Sequence, residues 1–249
     1  MPDPQIVYED KDFLAINKPA GLQVHEARVT KHGTRDIEHE KTLVDWLLEK
    51  YPEIKTVGDD PAIRPGIVHR LDKETSGIML VARTQRYFEY LKSLFQGRQI
   101  KKKYLAMVYG AVEPKTSVID KPIGIKTGTL KRSVHSTKMV KEAVTEYRVV
   151  KIFDIRHSNL EAQNFSLVEV KPKTGRTHQI RVHLASIGHP IVGDRLYGPR
   201  KQVHDSRFMV HRLMLHALSL EFTAEDGRRM KFEAEPPEEF VEVLGSRTS

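Results

Sequence analysis

The chain has 249 residues, 39% of them hydrophobic, which is enough to bury a sizeable core and sets it apart from disordered and fibrous sequences. It contains no cysteine, which excludes disulfides, thiol nucleophiles and zinc ribbons, and no apolar run long enough to span a bilayer. Forty-one Lys and Arg against 33 Asp and Glu give a net charge of +8 and a pI near 9.5, a balance that favours a polyanionic partner.

In chain order, Ile6 to Tyr8 and Phe13 to Ile16 are short apolar stretches split by acidic turn formers, and predict a hairpin ending at Lys18-Pro19-Ala20-Gly21. Residues 27 to 41 are polar and aperiodic and read as an excursion. Thr42 is placed to cap a helix whose Leu43, Trp46 and Leu47 share a face and which Pro52 stops. Ile78 to Ala82 suits a buried strand. Tyr87, Phe88, Leu91, Leu94 and Phe95 then predict an amphipathic helix with Gly97 past its end. Strand character returns at 103 to 112, 144 to 152 and 165 to 171. Ile180, Leu184 and Ile187 recur at helical spacing, with Thr177 as the expected cap and Gly188 and Pro190 closing the helix. Strands are expected from Met214 to Phe222 and Arg229 to Phe232, then a short helix opened by Pro236-Pro237. The pattern implies a mixed α/β (α+β) architecture around one sheet. Without repeats or linkers, it implies one domain over 1 to 249.

Basic residues cluster at Arg98 with Lys101, Lys102 and Lys103; at Lys131 with Arg132; at Lys138 and Lys141; at Lys171, Lys173 and Arg176; and at Arg200 and Lys201. Phosphate-loop motifs, HExxH and GxSxG are absent, and His178 and His183, five apart on one helix, would not share a face to hold a metal. What remains is the stretch HRLDKETSG, 69 to 77. It sets Asp72 among the hydroxyls of Thr75 and Ser76 and the amides near Gly77, groups that stabilise a carboxylate as the anion. Arg176 and Arg181 are candidates to strengthen that effect.

Four stretches resemble, in order and spacing, the motifs of the RluA-type RNA pseudouridine synthases: NKPAGLQVH (17 to 25), HRLDKETSGIMLVAR (69 to 83), KKKYLAMVYG (101 to 110) and TGRTHQIRVHLASIGHPIVGD (174 to 194). The resemblance runs from about Ile6 to Phe240. It implies an enzyme that converts uridines in structured RNA, ribosomal ahead of transfer RNA, to pseudouridine without cofactor or metal. The fold implied is a mixed, largely antiparallel sheet with flanking helices and a central cleft. By motif, Asp72 matches the catalytic aspartate, Tyr104 the active-site tyrosine and Arg181 the arginine that pairs with the aspartate. Arg70 matches a side chain that fills the stack when the target leaves it. His69, Lys103, Lys171, Lys173 and Arg176 are the expected RNA-binding residues beside it. The opening residues already look like the first catalytic strand, so no separate N-terminal RNA-binding domain is expected, and the protein is expected to be a cytoplasmic monomer.

The chemistry suits these residue types. Breaking the bond from ribose C1′ to uracil N1 develops positive character on the sugar, which a carboxylate can stabilise or trap. Asp72 can attack C1′ or take the proton from C2′; the sequence leaves both open, along with the acceptor of the C5 proton. Two readings of other classes compete. A non-catalytic RNA-binding protein would show a damaged catalytic set, whereas Asp72, Tyr104 and Arg181 are all present. A metal-free glycosidase would need a second carboxylate, for which Glu74 is the neighbouring candidate.

Overall fold

The computed structural model describes residues 2–26, 40–126, 131–157, 160–199, 212–238 and 240–241, with the side chains of 154–157 and 160–163 outside the description. The elements in chain order are β1 (Gln5–Glu9), β2 (Phe13–Lys18), α1 (Leu43–Lys50), a 3-10 turn (Pro52–Thr56), β3 (Ser76–Ala82), α2 (Gln85–Gln96), β4 (Lys101–Tyr109), β5 (Thr116–Asp120), β6 (Gly124–Ile125), β7 (Arg132–Ser133), β8 (Val144–His157), β9 (Leu160–Pro172), α3 (Gln179–Ser186), β10 (Leu215–Thr223) and β11 (Arg229–Glu233). They fall into two compact units, Met1–Ile100 with Leu220–Ala234, and Lys101–Ser219 with Glu235–Ser249. The expected excursion at 27 to 41 and the basic pair Arg200 and Lys201 lie largely or wholly outside the described residues.

In the first unit, β1 and β2 form the predicted hairpin, and β2 pairs antiparallel with β3 from Phe13↔Ala82 to Lys18↔Gly77. All seven residues of β3 are buried, as its unbroken apolar run requires. Thr42 caps α1 as a capping box: its side chain accepts from the Asp45 amide while the Asp45 carboxylate accepts from the Thr42 amide at 2.8 Å. Thr84 caps α2, whose Tyr87 lies stacked on Phe13 with centroids 4.9 Å apart, while Phe222 and Phe232 meet Phe13 edge-on. These offset and edge contacts each add to the area buried.

The second unit is built on a ladder in the order β10-β4-β9-β8-β5, to which β10 contributes its first residues. The β8–β9 hairpin is longer than the sequence pattern predicts, pairing from Thr145↔Pro172 to His157↔Leu160 with two register shifts. Its outer half carries polar residues without alternation, so apolar periodicity could not reveal it. Core residues Ala106, Met107, Leu167, Val168 and Val170 pack with Ile180 and Leu184 of α3 and with Phe240. Beyond Pro237, the Phe240 and Val241 amides donate to its carbonyl, the first turn of the short helix expected there.

The start of helix α3 also differs. Helix α3 begins at Gln179, and its N-cap is His178 in the left-handed region (φ 56°, ψ 19°) with no capping side-chain bond, so Thr177 is not the cap. The Gln179 side chain substitutes for one. Its Oε1 accepts from the Arg176 amide and the Thr174 hydroxyl, and its Nε2 donates to the Val144 carbonyl and Thr145 Oγ1.

Among the described residues, no helix is long and apolar enough to cross a membrane. Replacing Thr42 with alanine removes one half of the capping box; we expect chemical denaturation to show a loss of about 1 kcal/mol, recovered by serine at that position.

Candidate active site

The first unit presents the segment 69 to 76 as a fixed loop. His69 Nε2 accepts the Leu80 amide at 2.9 Å while its ring stacks on Phe95 (4.3 Å between centroids), which fastens the loop to β3 and α2. Leu71, Thr75 and Ser76 are buried; Arg70 is exposed, and Asp72 is half-exposed between them. The Asp72 carbonyl accepts the Thr75 amide, closing a tight turn. Asp72 thus stands on a turn anchored by the buried side chains of Leu71, Thr75 and Ser76. Arg70 Nη1 stands 3.5 Å from His25 Nε2, so the first and second motifs meet here.

Beneath the loop lies a feature that sequence reasoning passed over. Lys18 is fully buried, and its ammonium donates to three carbonyls: Pro19 and Leu22 at 2.8 Å and Lys73 at 3.0 Å. A buried ammonium is tolerated only with its protons so engaged. The Lys73 carbonyl also accepts the Gly21 amide at 2.9 Å. The lysine of NKPAG therefore locks the residue next to Asp72, and the available signal was a lysine closing an otherwise apolar strand.

In the second unit, six consecutive residues of α3, Gln179 to Leu184, are buried, and three of them are polar. Each has partners, as burial demands. His183 Nε2 faces the Lys121 carbonyl and Nδ1 faces Thr145 Oγ1, both at 2.9 Å. A carbonyl can only accept, so Nε2 carries the proton, and burial pushes the ring's pKa down toward this neutral form. Arg181, 6% exposed, donates from Nε and Nη2 to the two oxygens of Asp194, each at 2.8 Å. Its guanidinium also lies over the Tyr197 ring, 5.2 Å from the centroid.

Asp194 receives the Leu196 and Tyr197 amides on Oδ1 as well. Burial pushes its carboxyl pKa up, but the Arg181 hydrogen bonds and charge and these two amides more than reverse that, and the group is held below the usual carboxylate range. The preceding Gly193 has φ +76°, and a Cβ there would fall 1.9 Å from the Arg212 carbonyl. Only glycine fits the turn that delivers Asp194. Asp194 lies thirteen residues from its partner, so helical spacing gave no sign of it; its place at the end of the fourth motif was the one hint.

Tyr104 sits half-buried on β4 opposite Val170 and packs against the core of this unit. Lys103 and Lys171 converge on Glu169 at 3.3 and 3.2 Å, joined by Arg148 at 3.4 Å. Burial raises the Glu169 carboxyl, and Lys171 and Lys103 outweigh it, so its pKa is lowered. Lys173 pairs with Glu146, and Arg176 donates to the Glu142 carbonyl, both at 2.8 Å. Among the described residues, no group of three or more His, Asp or Glu is placed to hold a metal ion.

The sequence profile of the family described as RNA pseudouridylate synthase matches residues 12–186, a span that includes the Asp72 turn, Tyr104 and Arg181. The chain belongs to the RluA-type RNA pseudouridine synthases. These enzymes are isomerases that turn uridine in RNA into pseudouridine. The chain is 37% identical over 243 residues to an uncharacterised RNA pseudouridine synthase of Bacillus subtilis (strain 168), covering 97% of this chain and 72% of that one. It is 39% identical over 249 residues to the ribosomal large subunit pseudouridine synthase D of Pseudomonas aeruginosa, covering 96% and 70%. Among solved structures, human RNA pseudouridylate synthase domain containing 4 superposes with a TM-score of 0.69 at 28% identity, over 96% of this chain and 91% of that one.

For the synthase, the buried Arg181–Asp194 pair has a measurable consequence. Asp194→Asn leaves a buried guanidinium without its counter-charge and should cost about 3–5 kcal/mol near neutral pH. Because the folded-state pKa of Asp194 is lowered, this stability is present above the unfolded value of about 3.9 and is lost as pH falls through the folded value. The gap between the denaturation curves of wild type and variant should therefore begin to narrow only below about pH 4 and close as pH falls through the folded value.

Proposed function

We propose that this synthase modifies uridines of ribosomal RNA, with Asp72 acting at the ribose. The substrate reading draws on relatives whose names specify the ribosomal large subunit, such as those of Pseudomonas aeruginosa and Nitrosomonas europaea. The observation that carries the chemistry is a half-exposed carboxylate on a turn locked from below by Lys18, in the motif that the family shares. The matched span runs through both units, which supports reading them as one catalytic domain.

Asp72 either attacks C1′ or removes the C2′ proton, and in both cases it must be ionised; the family resemblance assigns Arg181 the part of its partner. Arg181 suits the task because its geometry is set in advance by Asp194 and Tyr197, so no reorganisation is needed during reaction. Tyr104 holds the detached uracil by stacking. Extruding the target costs a few kcal/mol, part of which exposed Arg70 offsets by entering the vacated stack. Lys103, Lys171, Lys173 and Arg176 contact phosphates. Their ion pairs with Glu169 and Glu146 are partly solvent-exposed, and such pairs are worth about 1 kcal/mol or less, so phosphate can compete for them. The enzyme works as a cytoplasmic monomer without cofactor.

Unmodified ribosomal and transfer RNA transcripts, labelled with tritium at uridine C5, test this reading. Wild type should release tritium to water from the ribosomal transcript. Asp72→Asn should lower the rate by roughly 10³-fold or more while still binding RNA, since it removes charge and little volume. Release from transfer RNA alone would refute the substrate, and full activity of the variant would refute the role of Asp72.

A further inference from the structure

The basic side chains of the second unit differ in one respect. Lys103, Lys171 and Arg148 are answered by Glu169, Lys173 by Glu146, Arg176 by the Glu142 carbonyl and Arg181 by Asp194. Arg132 on β7 is not: its Nε is buried without a hydrogen-bond partner, a condition that, among the described residues, it shares only with the indole nitrogen of Trp46. The two cases differ in kind. Trp46 is a neutral group in the apolar face of α1, and its ring carries the Lys50 ammonium above it. Arg132 is a permanent cation, and a buried, unanswered guanidinium nitrogen calls for an anion.

Its backbone is nevertheless fixed. The Arg132 amide donates to the Tyr197 hydroxyl at 2.9 Å, and the Lys131 ammonium donates to the Leu196 carbonyl at 2.9 Å. Val134 and Tyr197 pack on the small apolar group of Ile123, Ala143 and Val182, which seats the β6–β7 hairpin on α3. Tyr197 serves both ends of this arrangement: its hydroxyl meets Arg132 and, at 2.9 Å, His178 Nδ1, and its ring lies under the Arg181 guanidinium. The left-handed backbone of His178, a strained state for a side chain of that size, is held by this contact. Tyr197 thus holds the Arg132 backbone with its hydroxyl and carries the Arg181 guanidinium on its ring.

We propose that Arg132 is a phosphate-binding residue for the RNA strand, presented at a fixed place beside Arg181 by Tyr197. The proposal rests on the synthase reading above. If Arg181 acts at the ribose of the target, the anion for a strand residue that shares Tyr197 with it is a phosphate of the RNA near that nucleotide. An arginine fits this task because its planar fork binds two phosphate oxygens at once, which a lysine cannot match. Tyr197 is a positioning residue: it touches no substrate and sets where Arg132 stands.

Filter binding of ribosomal RNA transcript, from roughly 50 to 200 mM salt, tests the assignment. Arg132→Gln should weaken binding roughly tenfold at the low end and make the salt dependence shallower by about one unit, with the catalytic defect falling in KM more than in kcat. Arg132→Lys should keep the salt slope and recover part of the affinity. Tyr197→Phe, which retains the ring under Arg181, should weaken binding in the same direction. The double variant Arg132→Gln/Tyr197→Phe should bind no worse than Arg132→Gln, because one substitution acts through the other. The melting temperature of Arg132→Gln should not fall, since the Nε that is removed makes no hydrogen bond in the folded protein.

An unchanged salt slope in Arg132→Gln, or a lowered melting temperature with wild-type RNA affinity, would overturn the proposal and make Arg132 structural. Tritium release by wild type, read in parallel, keeps the two claims apart. RNA binding without release would contradict the synthase reading while the slope still decides Arg132, and absence of RNA binding would contradict both.

Discussion

A guanidinium cannot be desolvated without an answer to its charge, and the second unit is arranged around that constraint. Arg181 is 6% exposed, so its charge must be met inside the protein, and Asp194 meets it through two hydrogen bonds. From this follow Gly193, which alone fits the turn into Asp194, and the Leu196 and Tyr197 amides that complete the carboxylate's shell. Helix α3 must then be held rigidly. Gln179 and His183, one turn apart, both bond Thr145 on β8 and fix the helix on either side of the arginine. So many polar groups in a core are costly, and an apolar core of similar volume would serve stability as well or better. Function is the natural reason to keep them.

The first unit solves a similar problem with a different cation. Lys18 is buried at the end of β2, and its ammonium donates to three backbone carbonyls. The result is a lysine that acts as a three-way tie between the end of its own strand, the turn after it and the backbone beside Asp72. His69 does the same from the other end of the loop by accepting the Leu80 amide. Both motifs spend charged or titratable side chains on holding backbone, which explains why a sequence that looks like a polar surface loop behaves as part of the frame.

Much of the architecture was legible because it follows from periodicity and caps. The first hairpin, α1 with Thr42, the buried run of β3, and α2 with its aromatic face appear where the pattern places them. Helix α3 was legible as a helix from Ile180 and Leu184, but not its start, because no side chain caps it and the Gln179 side chain, inside the helix, instead accepts from Thr174 and Arg176 before it. The short strands β5, β6 and β7 and the outer half of β8–β9 carry no clear alternation and were missed. Asp72, Tyr104 and Arg181 stood out through motif resemblance. Their supports did not: Lys18, Asp194, Tyr197 and Thr145 act through tertiary contacts between residues far apart in sequence, and no local pattern announces such pairs.

We propose that the buried charge at position 181 is kept for catalysis and not for stability, and one variant tests this directly. Replacing both members of the pair, Arg181→Met with Asp194→Leu, removes the two charges together and leaves apolar groups of similar size. The account predicts a protein at least as resistant to denaturant as wild type that releases no tritium from C5-labelled ribosomal RNA. A stable double variant that turns over at the wild-type rate would contradict it.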